Sequence, residues 1–117
     1  MARKLVLLTY NLKPGSDLEE YQEFTRSIDY AKFRQNPRIL EYTNFIVTRS
    51  VQGQEWFQHF DLIYVDDFDA FDADGKRFFN DPVILEHAQN WLDRWGSDDP
   101  DEWEKNFNIS YCEEIWG

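Results

Sequence analysis

The sequence predicts an α+β fold whose elements run in the order β-α-β-β-α-β. Three observations carry that expectation. Segments of strand length alternate with two segments of helical period in this order. A length of 117 residues suits one core, and no linker divides it, so residues 1–117 are expected to form a single domain. Most strands carry large apolar groups on both faces, so the sheet face away from the helices needs a cover; a second copy related by a two-fold axis is the expected one.

The first strand is read at Leu5 to Leu12, an apolar run stopped by Pro14-Gly15. Ser16-Asp17-Leu18-Glu19 follows as a capping box, with Ser16 as N-cap and Glu19 reaching back. Leu18, Tyr21, Phe24 or Thr25, and Ile28 repeat at helical spacing, which predicts a helix from about Asp17 to Ala31, closed before Asn36-Pro37.

The second strand is read at Ile39 to Thr48, with Leu40, Tyr42, Asn44 and Ile46 on one face and Ile39, Glu41, Thr43 and Phe45 on the other. A polar hairpin loop containing Gly53 leads to the third strand, Trp56 to Val65, where His59, Asp61, Ile63 and Val65 share a face. Asp66 to Asn80 is read as an acidic, aromatic loop opening with a short helical turn. Asp81-Pro82 starts the second long helix; Ile84 or Leu85, Ala88, Trp91 or Leu92, and Trp95 form its buried stripe, and Gly96 is its left-handed C-terminal residue. Ser97 to Lys105 is read as an acidic loop, and Phe107 to Trp116 as the last strand. This order is the ferredoxin-like arrangement: an antiparallel sheet with helices on one face.

Composition narrows the function. Twelve basic and 23 acidic residues give a net charge of −11 with no basic cluster, which argues against nucleic acid and anionic membrane as partners. The apolar run after Met1-Ala2-Arg3-Lys4 is too short for a signal peptide or a membrane span, so a cytoplasmic location is expected. The lone Cys112 is read as a buried structural thiol. Five Trp, six Tyr and ten Phe exceed what a small core readily absorbs; they suit a dimer interface and an aromatic-walled pocket for a small hydrophobic, flat substrate.

No phosphate loop, dinucleotide motif, nucleophile elbow or C-x-x-C is present, so no cofactor is implied. The acidic run Asp66 to Asp74 fails as a calcium loop: aligned on Gly75, Ala70 and Asp81 fall at the first and last ligand positions. Two histidines without a cysteine partner make no structural zinc site, and no metal is expected. His87 stands beside the buried stripe of the second helix, with a satisfied boundary residue as its plainest role. His59 and Asp61 are two apart in a strand and point the same way, and a carboxylate beside an imidazole favours its protonated form and sets its tautomer, as general acid–base chemistry requires. Asp29-Tyr30 ends the first helix, where a carboxylate opposes the helix dipole and serves either as a local cap or as a group facing a cleft.

Several stretches resemble the RedY/HapK-like proteins: Leu12-Lys13-Pro14-Gly15, Asp29-Tyr30, Arg34-Gln35-Asn36-Pro37, and Tyr64-Val65-Asp66-Asp67-Phe68-Asp69-Ala70-Phe71. The resemblance spans about Leu5 to Trp95. It implies a dimeric α+β barrel associated with prodiginine and related pyrrole or indole pathways. It further implies a cofactor-independent cyclase or condensing enzyme that folds a reactive bis-aromatic intermediate and joins it by acid–base catalysis. His59 is then general acid or base, with Asp61 or Asp29 as its electrostatic partner. Tyr10, Tyr30 and Asn44 position the substrate, and Tyr42, His87 and Trp91 complete the binding set. Two other activities suit the same architecture: a non-catalytic carrier dimer for a hydrophobic intermediate, and a cofactor-free monooxygenase.

Overall fold

A computed structural model describes residues 2–29, 37–54, 57–78, 82–96 and 99–115. Four strands, β1 (Lys4–Tyr10), β2 (Ile39–Ile46), β3 (His59–Val65) and β4 (Phe107–Glu113), form one antiparallel sheet in the order β2-β3-β1-β4. Helix α1 (Leu18–Phe24) runs directly into a π-helical segment, Thr25–Asp29. Helices α2 (Phe68–Phe78) and α3 (Pro82–Trp95) follow β3, and α4 (Pro100–Asn106) precedes β4. The fold is the ferredoxin-like one that the element order predicts.

Directly opposed residues of antiparallel strands share a face, so the register defines the sheet's two sides. One row runs Tyr42–Ile63–Val6, the next Asn44–Asp61–Leu8, and the next Ile46–His59–Tyr10. This is the face on which the helices pack. At one end Val6, Tyr42, Ile63 and Val65 form a core cluster joined by Phe68 and Phe71 of α2. At the other end Tyr10, Leu12, Tyr21 and Trp95 form a second cluster, with Phe24 of α1 and Trp91 of α3 against it. The opposite face shows Leu5, Leu7, Phe60, Leu62 and Tyr64 half-buried and Phe45 exposed, with Phe45 and Phe60 stacked at 4.8 Å.

Several local expectations are corrected. Asp17, not Ser16, caps α1: its carboxylate accepts from the backbone N–H of Glu19 and Glu20, while the Ser16 hydroxyl donates to the Lys13 carbonyl. The turn that precedes it needs Gly15, whose φ of 84° disfavours a side chain. A bulge at Leu40 shifts the β2 register, so Ile39 shares a face with Tyr42 rather than with Glu41, and Leu40 is exposed.

The acidic stretch after β3 is largely helical. Asp67 accepts from the Ala70 N–H at the start of α2, and Asp74 pairs with Arg38 at 3.0 Å. Gly96 does not have a positive φ; a Cβ there would lie 3.0 Å from the Leu92 side chain, so close packing is its reason. The second acidic stretch also contains a helix, because Asp99 caps α4 and Pro100 takes its first position. Cys112 is half-buried rather than buried. Among the described residues, no helix is long and apolar enough to cross a membrane.

Candidate functional site

The second cluster is where polar side chains enter the core. Asp61 is only 4% exposed, and at least three donors converge on its carboxylate. Tyr10 donates to Oδ1 at 2.9 Å, Asn44 to Oδ1 at 2.5 Å, and Tyr42 to Oδ2 at 3.0 Å. The sheet register explains this convergence. Asn44 is the direct partner of Asp61, whereas Tyr10 and Tyr42 lie diagonally on the neighbouring rows, a span that a tyrosine bridges. The Tyr10 proton is committed to Asp61, so the Tyr10 oxygen accepts from the Tyr21 hydroxyl at 2.7 Å. A chain of hydroxyls therefore leads from α1 to the buried carboxylate. Burial, reinforced by the charge of Asp61, raises the Tyr10 pKa well above the ordinary phenol value, which keeps Tyr10 a donor.

His59 lies between these groups without sharing their hydrogen bonds. Its ring stacks on Tyr10 at 5.4 Å and meets Tyr21 edge-on at 5.1 Å. Its Nε2 is buried and has no hydrogen-bond partner among the described residues. Burial lowers its pKa below the usual imidazole value, so the ring is neutral at neutral pH. The expected effect of a neighbouring carboxylate, favouring the protonated ring, is not what the geometry gives: Asp61 is engaged by Tyr10, Tyr42 and Asn44 instead.

A cavity of about 370 Å³ opens beside this network, between edge strand β2 and the α1–π segment. Tyr21, Thr25 and Arg26 line one wall, and Tyr42, Asn44 and His59 line the other. Its volume is within the range usual for small-molecule sites, roughly 300–1,000 Å³. Among the described residues, no three His, Cys, Asp or Glu side chains are grouped to hold a metal ion.

Against known proteins, the family model described as REDY-like protein HapK matches residues 4–91. The chain belongs to the HapK family. No curated protein matches it. Two solved structures share its fold. One is a protein of the ethyl tert-butyl ether (EthD) family from Bacillus halodurans C-125, at TM-score 0.62 and 16% identity, covering 98% of this chain and all of that one. The other is HapK from Hahella chejuensis, at TM-score 0.60 and 13% identity, covering 97% of this chain and 92% of that one.

Within this HapK-family fold, Tyr10, Tyr42, Asn44, His59 and Asp61 come together from three strands. Trp91 sits behind them, edge-on to both Tyr10 and Tyr21. Asp29 ends the π-helical segment, and its side chain lies outside the described residues, as do Tyr30 and the side chain of His87. Seven lining residues were not singled out as site residues from sequence, among them Tyr21 and Thr25, read only as members of a helical stripe, and Arg26. The signal for Tyr21 was present, since its hydroxyl needs a partner when the ring is buried. Arg26 gave no such signal, because the π-helical turn that carries it is not legible as a period.

Proposed function

We propose that this HapK-family protein is a cofactor-independent cyclase or condensing enzyme for a reactive pyrrole- or indole-type bis-aromatic intermediate. The observation that carries this reading is a neutral, buried imidazole with an unpartnered Nε2 at the wall of an aromatic cavity. A neutral imidazole accepts a proton at neutral pH, and no hydrogen bond has to be broken first.

The substrate is held folded, with its nucleophilic ring atom against its own carbonyl or imine carbon. His59 takes the proton that the nucleophile loses as the new C–C or C–N bond forms and returns it to the carbonyl oxygen or imine nitrogen, which becomes a hydroxyl or an amine. In a condensation, a second proton lost from the adduct passes through His59 to that hydroxyl, which leaves as water. Asp61 touches no reacting atom in this scheme; it fixes Tyr10, Tyr42 and Asn44, and through Tyr10 it orients Tyr21. The protein works as a homodimer, in which a second sheet covers Leu5, Leu7, Phe45, Phe60, Leu62 and Tyr64. It is a single cytoplasmic domain whose partner is a small hydrophobic substrate.

One observation favours a second reading. The His59 Nε2 is shielded as well as unpartnered, which suits a carrier that only packs aromatic rings. Purified protein added to a bis-indole imine generated in solution separates the two. The catalytic reading expects a changed product ratio by chromatography, reversed by His59→Ala. Binding of the intermediate with no change in products establishes the carrier. Dependence on dioxygen would instead point to a monooxygenase. Sedimentation of a monomer at micromolar concentration would refute the dimer.

A further inference from the structure

The charge of the cavity wall differs from that of the chain. With 23 acidic residues against 12 basic ones, a random patch of surface carries carboxylates. Among the described residues that line this cavity, none is acidic and Arg26 is a cation. Arg26 is exposed and, among the described residues, forms no ion pair, whereas Arg3, Arg38 and Arg94 each face a carboxylate within 4.0 Å.

Local backbone geometry places it there. The helix changes from α to π at Thr25, and Tyr21, Gln22, Thr25 and Arg26 then share one face on the cavity. Such π turns are rare and recur at functional sites. Beside Arg26, Thr25 is 8% exposed and its hydroxyl has no partner among the described residues, and Nε2 of His59 across the cavity has none there either. Buried polar atoms left unpaired are uncommon unless a bound group satisfies them.

We infer that the cavity recognises an aromatic carboxylate, with the ring beside Tyr21 and Tyr42 and the carboxylate on the Arg26 guanidinium. This inference names the substrate class of the site above and rests on that site being a small-molecule pocket. Arginine suits the role because its planar fork meets both carboxylate oxygens. The net charge of −11 repels anions at long range, so any preference for a carboxylate must arise locally.

The test is calorimetric titration at low ionic strength with indole-3-acetate and its neutral isostere indole-3-acetamide. The acetate is expected to bind about tenfold more tightly, the scale of one charge-assisted contact. Arg26→Gln should erase that preference, Arg26→Lys should retain part of it, and high salt should narrow it. Equal affinities for the wild type, or a preference that survives in Arg26→Gln, overturns the inference and leaves the pocket standing. Failure of both probes to bind at millimolar concentration overturns it together with the pocket reading.

Discussion

The two ends of the helix-facing side of the sheet are built from the same strands and differ in what they bury. Around Val6, Ile63 and Val65 the core is aliphatic, sealed by Phe68 and Phe71. Along the next two rows, the same strands bury Asp61, His59 and the hydroxyl of Tyr10. The first end is an ordinary hydrophobic core, in which each buried side chain contributes by leaving water. The second buries a carboxylate and an imidazole, which is favourable only where every polar atom is paired. The pairing holds around Asp61 and fails at His59 Nε2, Thr25 Oγ1 and Trp95 Nε1. Two of these three unpaired atoms, on His59 and Thr25, belong to residues that line the cavity, and leaving them unpaired comes at some cost in stability.

The largest expected effect is at Asp61. Asp61→Ala removes the acceptor of Tyr10, Tyr42 and Asn44 together. Stranding those donors should cost about 4 kcal/mol, because an orphaned buried donor costs more than a hydrogen bond contributes. Ile63→Ala, at the aliphatic end, should cost about 3 kcal/mol through lost burial and the cavity left behind. Urea unfolding of both variants tests the contrast. If Asp61→Ala proves much milder than Ile63→Ala, water replaces the carboxylate and the network is not closed. Tyr10→Phe should fall below both, at about 1 kcal/mol, since it removes one hydroxyl and keeps the ring.

Much of this contrast was legible in the sequence, because a strand has a period of two. Once β3 is read as a strand, His59, Asp61, Ile63 and Val65 must share a face, and the aliphatic and polar ends appear in order along it. Tyr10, Tyr42 and Asn44 were nominated from the resemblance. Their convergence on Asp61 is a matter of register between strands distant in sequence, which single-strand periodicity does not contain. The bulge at Leu40 shows the limit, since one inserted residue moved Ile39 to the other face. Helix ends were the least legible. Ser16 and Asp17 are both good caps one residue apart; Asp17 caps the helix while the Ser16 hydroxyl is taken by the Lys13 carbonyl. Asp99-Pro100 is the same signal as Asp81-Pro82, but it lies within a stretch read as an acidic loop around Pro100.

The smallest effect separates the two ends most sharply, because it has the opposite sign from ordinary core truncation. Replacing a buried aliphatic residue always costs stability, whereas His59→Leu removes an unpaired polar atom from the core. At about pH 8 it should change stability by no more than about 1 kcal/mol. The difference should then grow in favour of the variant as pH falls. Burial holds the folded pKa of His59 below the 6.5 of an ordinary histidine. Between those two values the unfolded chain binds a proton that the folded chain refuses, so acid favours unfolding there. The wild type keeps its full stability above pH 6.5, loses it as the pH drops toward the folded pKa, and levels off below that pKa. His59→Leu lacks this segment of the curve. Urea midpoints measured from about pH 8 to about pH 5 should therefore diverge below 6.5, with the variant the more stable at the acid end. Parallel curves would mean that His59 is solvated or paired in solution, and the distinction between a closed aliphatic end and an open polar end would lose its central residue.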